Sequence, residues 1–415
     1  MANNKLTQAK NAKNDEFYTQ WSDIEREVQA YLEFDPDVFR NKTILCPCDD
    51  PYESNFFKYF ALKFSEFKLK KLIATCYAGS FIANSLLDLF ADESEENKTT
   101  RKPHKIEITE IPGMSNDGVM NLVDVELLLT CDRNHLTHLN GDGDFRSEEV
   151  KNLRDEADII ITNPPFSLFR EFLAWIVEAD KQFLVIGNKN SITYKEVFPL
   201  FKDNKLWIGT MPMGVDMLFY VPEKYAQKML KEGKEGSNYK IVNGIVYGRS
   251  SSVWFTNIDH GRRHRPLSLM TMAKNLKFSK HKEIRGKKGY DKYDNYDAIE
   301  VPFTDAIPSD YDGVMGVPIS FLDKYCPEQF EILGATQRGC HDEVPDTKKY
   351  DDYWEVKSDG TPTGSSGNKT NENANLVGND GKKNYFINKE GRIIQSAYQR
   401  IFIKRKETSR KFPKH

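Results

Sequence analysis

The fold of this chain is decided by the stretch Ala157-Asp158-Ile159-Ile160-Ile161-Thr162-Asn163-Pro164-Pro165-Phe166. Residues 159–161 are all apolar, as in a parallel strand that is buried on both faces. Two consecutive prolines cannot continue a strand, so residues 163–166 must form a turn at its carboxyl end. Open α/β sheets bind their ligands at the carboxyl ends of parallel strands. We therefore expect this turn to lie in a binding site.

The residues of the turn suit a planar exocyclic amine. The Asn163 side chain and the Pro164 carbonyl offer two acceptors, and prolines have no competing N–H and hold the carbonyls rigidly. Phe166 adds an aromatic face for stacking. These groups predict a pocket for a nucleobase amino group, and methyl transfer to that nitrogen is the reaction it suits. The alternative is a turn that only ends a strand, since Asn and Pro are both favoured there.

Strands and helices alternate on both sides of this stretch. Apolar runs predict strands at 43–48, 71–77 and 183–188, and helical spacing predicts helices at 21–32, 81–90, 148–155 and 169–179. Ser54 is placed to cap a helix that reaches Phe64. These repeated units predict a doubly wound, largely parallel α/β sheet.

Other segments with strand character are less regular. Residues 106–109 and 127–130 predict a hairpin-like insertion. Residues 206–209, 217–221 and 252–256 are expected to complete the sheet, with antiparallel pairing near its edge.

The length of 415 residues allows a sizeable core and indicates two domains. Beyond about residue 260 the composition becomes basic and rich in tyrosine. We therefore predict one domain over residues 1–260 and a second region over 261–415. Residues 358–383 are rich in Gly, Ser, Asn and Thr, which predicts a mobile loop.

The charge is unevenly distributed. The net charge of −3 argues against a uniformly basic protein, yet between residues 262 and 292 eleven basic residues face only two acidic ones. Such a stretch can follow a phosphate backbone, although a solvated surface is the alternative. Arginine can also recognise guanine bidentately. The candidate DNA contacts are Arg262, Arg263, Arg265, Lys274 and Lys277.

Two absences in the sequence bear on the compartment and on metals. No apolar run approaches the length of a membrane span and the amino terminus lacks the apolar core of a signal peptide, so we expect a cytoplasmic protein without membrane contact. The six cysteines, at 46, 48, 76, 131, 326 and 340, lack zinc-finger spacing. We expect free thiols and no metal.

With this order in view, the chain resembles the EcoRI-type adenine-specific DNA methyltransferases. The resemblance covers most of the chain and rests on residues 14–19, 46–60, 141–146 and 163–166, and more loosely on 254–260 and 314–334. Their linear order is the one called gamma class. It implies a Rossmann-like class I methyltransferase domain that uses S-adenosylmethionine, followed by a target-recognition region.

The resemblance assigns residues to the methionine end of the cofactor. Phe17, Tyr18 and Thr19 match the segment that lines it. Asp49 and Asp50 follow the first strand, where an acidic group can hold the cofactor's ammonium by a charge-assisted hydrogen bond. Most methyltransferases have a Gly-x-Gly turn here, whereas residues 46–51 contain no glycine.

The adenine end of the cofactor is assigned to a Gly-Asp turn. Asp144 and Phe145 match the position at which related enzymes contact the cofactor's adenine, with Asp144 as the acceptor for its amino group. Asp142 is the competing choice, and a simple turn is the alternative. The strand ending at Cys76 lacks the acidic residue that commonly holds the ribose, so no ribose ligand is assigned.

The resemblance implies a catalytic unit of Asn163, Pro164, Pro165 and Phe166 that methylates N6 of an adenine flipped out of a specific duplex DNA sequence. It also implies a monomer that protects host DNA in a restriction-modification system, where a cognate restriction endonuclease acts without direct contact. An orphan or phage enzyme would show the same features. The large basic carboxyl-terminal region favours duplex DNA over RNA or protein.

Two other classes of function compete with this interpretation. Pro345-Asp346 followed by Glu355-Val356-Lys357 has the spacing of a magnesium-dependent nuclease signature, but no apolar strand is evident around Glu355. The second alternative is a DNA-binding protein without catalysis. The intact residues 163–166 argue against it.

Overall fold

The structure is a computed structural model that describes residues 18–51, 54–76, 103–111, 124, 127–128, 131, 133–221, 223–336, 344 and 346–407. Within these residues the chain combines helices with four β-sheets, which is a mixed α/β fold.

Three helices begin where a side chain accepts the unpaired N–H groups of the first turn. The Oγ of Ser54 accepts from Phe56 N and Phe57 N, and Ser147 and Thr271 cap two later helices in the same way. The helices of the described residues are α1 (Trp21–Phe34), α2 (Asn55–Leu62), α3 (Phe64–Phe67), α4 (Glu148–Glu156), α5 (Phe169–Glu178), α6 (Phe198–Lys202), α7 (Glu223–Glu232) and α8 (Met272–Phe278).

The strands fall into an amino-terminal and a carboxyl-terminal set. The first set is β1 (Tyr18–Thr19), β2 (Thr43–Cys46), β3 (Lys71–Cys76), β4 (His104–Ile108), β5 (His135–His138), β6 (Ile159–Thr162), β7 (Gln182–Asn188), β8 (Trp207–Ile208), β9 (Met217–Tyr220), β10 (Tyr239–Val242), β11 (Ile245–Ser250) and β12 (Ser252–Thr256). The second set is β13 (Ala298–Glu300), β14 (Val314–Pro318), β15 (Phe330–Ala335), β16 (Tyr353–Val356), β17 (Pro362–Ser366), β18 (Asn375–Val377), β19 (Tyr385–Asn388), β20 (Ile393–Ser396) and β21 (Arg400–Arg405).

The largest sheet has the order β5-β4-β3-β2-β6-β7-β12-β8. Its centre is parallel, since β2 pairs in parallel with β3 and β6, and β6 with β7. Beyond the centre, β4 is antiparallel to β3, β5 to β4, and β12 to β7. The chain therefore moves outward from β2 through β3, β4 and β5 on one side of the sheet. On the other side it moves from β6 to β7, and β12 then lies between β7 and the edge strand β8. The strand order reverses between β2 and β6.

The apolar runs of the sequence explain the position of these strands. Every residue of β2 and β6 is buried, as expected for strands that are covered on both faces. Aromatic residues of α2, including Phe56, Phe57 and Phe60, pack with β2, β3 and α1 in one core cluster. The predicted strands at 43–48, 71–77, 183–188 and 252–256 and the helices at 21–32, 148–155 and 169–179 are confirmed within a few residues.

One strand prediction is wrong, and one predicted strand joins a different sheet from the one expected. Leu127 and Leu128 lie in a helical turn, and β4 pairs instead with β5. Residues 217–220 form β9, which belongs to a separate antiparallel sheet of order β1-β9-β11-β10. Alternation and apolar content predict a strand but not its partner. The predicted helix at 81–90 lies outside the described residues.

The chain divides into two compact units. The first comprises residues 1–191 and 208–261, and the second comprises 192–207 and 262–415. The division near residue 261 follows the change in composition, but residues 192–207 belong to the second unit. The sequence does not indicate that residues 192–207 join the second unit, because α6 has the same apolar character as its neighbours.

The second unit contains two sheets, of order β13-β14-β21-β15 and β17-β16-β19-β20-β18. Two strands, β17 and β18, lie within residues 358–383, where the composition predicts a mobile loop. No helix in the described residues is long and apolar enough to cross a membrane.

Candidate active site

Residues 163–166 follow the carboxyl end of β6. Thr162, the last residue of that strand, is completely buried, whereas Asn163 and Phe166 are only partly buried. The Pro165 carbonyl accepts a hydrogen bond from Leu168 N at 2.9 Å, which closes a short 3-10 turn. That bond uses the Pro165 carbonyl, so Pro164 is the proline that we retain as an acceptor for an amine.

A buried carboxylate connects this strand end to the loop after β2. Asp49 accepts hydrogen bonds from Ser54 Oγ at 2.6 Å and from Thr162 Oγ1. Ser54 is also the cap of α2, so one network links the helix, the loop and the end of β6. On the other side of the loop, Thr75 Oγ1 donates to the Pro47 carbonyl at 2.9 Å.

The environment of Asp49 makes it a positioning residue. Burial raises the pKa of the Asp49 carboxyl to about 6, and the two hydroxyl donors offset only part of that effect. Direct contact with the cofactor's ammonium, as the resemblance suggests, does not fit a carboxylate that is enclosed in this way. Asp50 is partly buried and remains the candidate for that contact.

The amino-terminal segment meets the same loop through α2. Asn55, the first residue of α2, donates from Nδ2 to the Thr19 carbonyl at 2.7 Å. Thr19 is 4% exposed, and its hydroxyl has no hydrogen-bond partner among the described residues. A buried hydroxyl in this state is costly unless a ligand satisfies it. Phe17 lies outside the described residues, and of Tyr18 only the backbone in β1 is described.

The Gly-Asp turn follows β5, which runs parallel to β3 and so ends at the same edge of the sheet as β2 and β6. Asp144 accepts hydrogen bonds from its neighbour Arg146, from Nε at 2.8 Å and Nη2 at 2.6 Å, and these bonds lower the pKa of its carboxyl. Its role as an acceptor for the adenine of the cofactor stays a prediction.

The structure places Phe145 in the core. It is buried and packs edge-on against Phe172 and Trp175 of α5, with ring centroids 5.1 and 5.6 Å away. Its contact with the cofactor stays a prediction beside this packing role. The sequence could not separate the two, because an aromatic side chain serves either purpose.

The end of β3 has a side-chain cluster that the sequence did not indicate. Cys76 lies opposite His104 of β4, and Sγ is 2.9 Å from Nδ1. Asp50, on the loop after β2, completes a group whose potential ligand atoms all lie within 4.8 Å of one another. His104 is distant in sequence from every assigned motif, so only the strand pairing reveals it. The cysteines at 46, 48, 76, 131 and 326 form no disulfide among the described residues, which agrees with the prediction of reduced thiols.

The candidate DNA contacts lie in the second unit and differ in exposure. Arg265, Lys274 and Lys277 are exposed and Arg262 is partly exposed. Lys274 and Lys277 are three residues apart on α8, so they share one face. The neighbouring Phe278 is 62% exposed, which makes it an aromatic group within the basic stretch.

Arg263 is an exception. It is 8% exposed, its guanidinium lies 3.6 Å from the centroid of the Trp207 ring, and Nη2 donates to Asn204 Oδ1. Its contact with DNA stays a prediction, and its two contacts within the protein hold residues 204–207 within the second unit.

The nuclease signature is not part of the three-ligand group found in the described residues. Contrary to expectation, Glu355 lies on a strand, β16, where its carboxylate accepts from Thr363 Oγ1 and Asn384 Nδ2, each at 3.0 Å. Burial raises the pKa of the Tyr296 hydroxyl, and the nearby charge of Asp346 adds to this effect. Among the described residues, the one group of three or more His, Cys, Asp or Glu side chains that could hold a metal ion is Asp50, Cys76 and His104. Pro345 lies outside the described residues.

Comparison with known proteins identifies relatives along most of the chain. A family model described as the adenine-specific methyltransferase EcoRI matches residues 5–406. The type II methyltransferase M.EcoRI of Escherichia coli is 42% identical over 334 residues, which are 80% of this chain and 89% of the relative. M.MgeORF184P of Mycoplasma genitalium is 36% identical over 329 residues (79% and 85%), and M.MpnI of Mycoplasma pneumoniae is 34% identical over 332 residues (79% and 84%). No solved structure gives a significant match.

The raised pKa of Asp49 predicts a pH-dependent contribution to stability. Because the folded value of about 6 exceeds the ordinary value of 3.8, the folded chain binds more protons between these pH values. Lowering the pH through 6 therefore stabilises the folded state through this group. Relative to Asp49→Asn, the wild-type free energy of unfolding should increase by about 1 kcal/mol between pH 7 and pH 5.

Urea unfolding of both proteins, monitored by circular dichroism at several pH values, measures this difference. A difference that stays constant with pH, or that changes with the opposite sign, would contradict the burial of an ionisable Asp49.

Proposed function

Because the chain belongs to the family of adenine-specific EcoRI methyltransferases, we propose that it transfers a methyl group from S-adenosylmethionine to N6 of an adenine in a specific duplex DNA sequence. The observation that supports this most directly is the position of the turn at 163–166 beside the loop at 49–50. An amine acceptor and a cofactor loop then share one end of the sheet.

We infer that the largest sheet is the Rossmann-like, doubly wound sheet of class I methyltransferases. The support is its topology, since the strand order reverses between β2 and β6. In open α/β sheets the crevice at such a reversal binds the ligand. The Asp49 network joins the two strands that border this crevice, because Asp49 follows β2 and Thr162 ends β6.

The residues around this crevice fit S-adenosylmethionine. Asp50 offers a carboxylate to the ammonium, and Thr19 offers a buried hydroxyl without a protein partner among the described residues. Asp144 lies on the loop that follows β5 at the same edge. When bound, the cofactor supplies an electrophilic methyl group on a sulfonium.

The chain's own contribution to transfer is orientation and electrostatic stabilisation. The lone pair of an adenine amine is delocalised into the ring, so the nitrogen becomes nucleophilic when its hydrogens are held by acceptors. In this proposal the Asn163 side-chain oxygen and the Pro164 carbonyl accept those hydrogens. Alignment of the reacting atoms and the fixed dipoles of these acceptors then lower the barrier to transfer, and no strong base is required.

The target base must leave the helix to reach these acceptors. Extruding a base costs a few kcal/mol. Stacking on Phe166 would return about 1 to 3 kcal/mol of that cost. Phe166 is partly buried and packs against the core of the first unit, which supports its ring.

Duplex DNA would be held by the basic residues of the second unit. The candidate contacts that are exposed or partly exposed are Arg262, Arg265, Lys274 and Lys277. Most contacts of this kind go to phosphate and position the protein without specifying sequence. The relatives are named as type II methyltransferases. By likeness to them, we infer that this chain is the modification enzyme of a restriction-modification system.

Replacement of Asn163 tests the function itself. Asn163→Ala should lower the rate of methyl transfer at least about 100-fold, because it removes one placed acceptor. Cofactor affinity should change less than about threefold, since Asn163 addresses the base. Transfer of labelled methyl groups and equilibrium dialysis of labelled cofactor measure the two effects. Asn384→Ala, an exposed change in the second unit, is the control. Retained transfer in Asn163→Ala would remove this residue from its role.

The hydroxyl of Thr19 gives a separate test of the cofactor site. Thr19→Val keeps the shape and removes the hydroxyl, so cofactor affinity should fall about 5- to 10-fold. The melting temperature should not fall, because no described protein group loses a hydrogen bond. Thr19→Ser is the matched control and should retain most of the affinity. Equal affinity in the Val and Ser variants would exclude a hydrogen bond to the cofactor.

The basic residues should separate into DNA contacts and structural residues. Lys274→Ala and Lys277→Ala should each weaken DNA binding and lower the salt dependence of affinity by about one unit of slope. Arg263→Ala should instead lower the melting temperature, since the arginine is buried on Trp207. Fluorescence anisotropy at several salt concentrations and thermal unfolding measure these effects, with Lys389→Ala as the control. An unchanged melting temperature for Arg263→Ala would contradict the structural role.

A further inference from the structure

Asp50, Cys76 and His104 lie together at the carboxyl edge of the largest sheet. Cys76 ends β3, and His104 is its direct cross-strand neighbour on β4. Asp50 comes from the loop after β2, which is the strand beside β3. Three strands and their connections therefore fix the three side chains, so their proximity follows from the pairing of the sheet.

The distances within the group are close to those of a zinc site. Cys76 Sγ lies 2.9 Å from Nδ1 and 3.3 Å from Nε2 of His104, and the ligand atoms of all three residues lie within 4.8 Å of one another. Zinc binds sulfur at about 2.3 Å and histidine nitrogen at about 2.0 Å in a tetrahedral arrangement, which separates two such ligands by about 3.5 Å. Opening the 2.9 Å separation of Cys76 Sγ and His104 Nδ1 to about 3.5 Å would make room for an ion between them.

The chemistry of the three groups selects the ion. Thiolate and imidazole favour zinc over magnesium, which prefers oxygen ligands. Cys76 and His104 are 4% and 0% exposed, so a buried ion must be neutralised. One thiolate and one carboxylate neutralise a divalent cation. His104 is completely buried and supplies an imidazole nitrogen, which is a common ligand of zinc.

We propose that Asp50, Cys76 and His104 form an inhibitory zinc site that shares Asp50 with the cofactor. Zinc binding forms an Sγ–Zn bond and releases the thiol proton of Cys76 to solvent, and a water molecule takes the fourth position. Occupation of the site withdraws the Asp50 carboxylate from the cofactor's ammonium. This last step rests on the proposed function, whereas the zinc site itself rests only on the three side chains.

Direct binding tests the site without reference to activity. The full-length chain, treated with a chelator and then freed of it, is titrated with zinc chloride against a zinc indicator dye, and magnesium chloride is the matched ion. We expect one equivalent of zinc and release of one proton. Cys76→Ala and His104→Gln should each weaken binding more than about 100-fold, because even changes beyond the ligands cost 10- to 100-fold. Cys131→Ala should bind as the wild type does.

Circular dichroism establishes whether each variant is folded. Because two ligands are replaced independently, the test can still be made with one variant if the other does not fold. The absence of zinc binding by the wild type, or zinc binding that survives in a folded Cys76→Ala or His104→Gln, would overturn the site. Cys76 and His104 would then serve only to form a hydrogen bond with each other.

Competition with the cofactor tests the shared use of Asp50. Saturating zinc should raise the apparent dissociation constant of labelled S-adenosylmethionine at least tenfold in the wild type and less than twofold in Cys76→Ala. Zinc that binds without displacing the cofactor would overturn this part of the proposal. Failure of the metal-free wild type to bind the cofactor would instead contradict the proposed function. The zinc titration would still show whether the three side chains bind zinc.

Discussion

The site depends on one buried carboxylate. Asp49 is enclosed at the boundary between the loop after β2 and the end of β6, and it is tolerated there because Ser54 and Thr162 direct hydroxyl groups at it. A buried acid without such donors would be costly. The same two bonds fix the start of α2 and the last residue before Asn163. The position of the turn at 163–166 relative to the loop at 49–50 is thus set by the need to satisfy a single side chain.

The sequence predicted the central part of the fold because the signals there are strong and local. Apolar runs of buried strands, a serine cap and a double proline determine where β2, β6 and the turn lie, and each was found within a few residues. Strand partners were harder, since β9 has the same apolar character as a central strand yet pairs with β1 and β11. Pairing depends on contacts between distant residues, which composition does not record.

The site was predictable at the level of residues but less so at the level of roles. Asp49 and Asp50 are adjacent acids, and only the structure shows that one is enclosed by hydroxyls while the other is partly exposed. Phe145 and Arg263 have residue types that suit ligand contact, yet both are buried against aromatic rings. His104 belongs to no sequence motif that would have indicated a role. In each case the deciding quantity is burial, which arises from packing between residues far apart in the chain.

The bond between Thr162 and Asp49 joins residues separated by 113 positions. During translation, Asp49 emerges from the ribosome long before its partner on β6 has been synthesised, and it must stay hydrated until then. A nascent chain that lacks β6 can form local helices but cannot assemble the crevice, because contacts between distant residues form late and slowly. Cofactor capture is therefore expected to begin only after the middle of the polypeptide has been made.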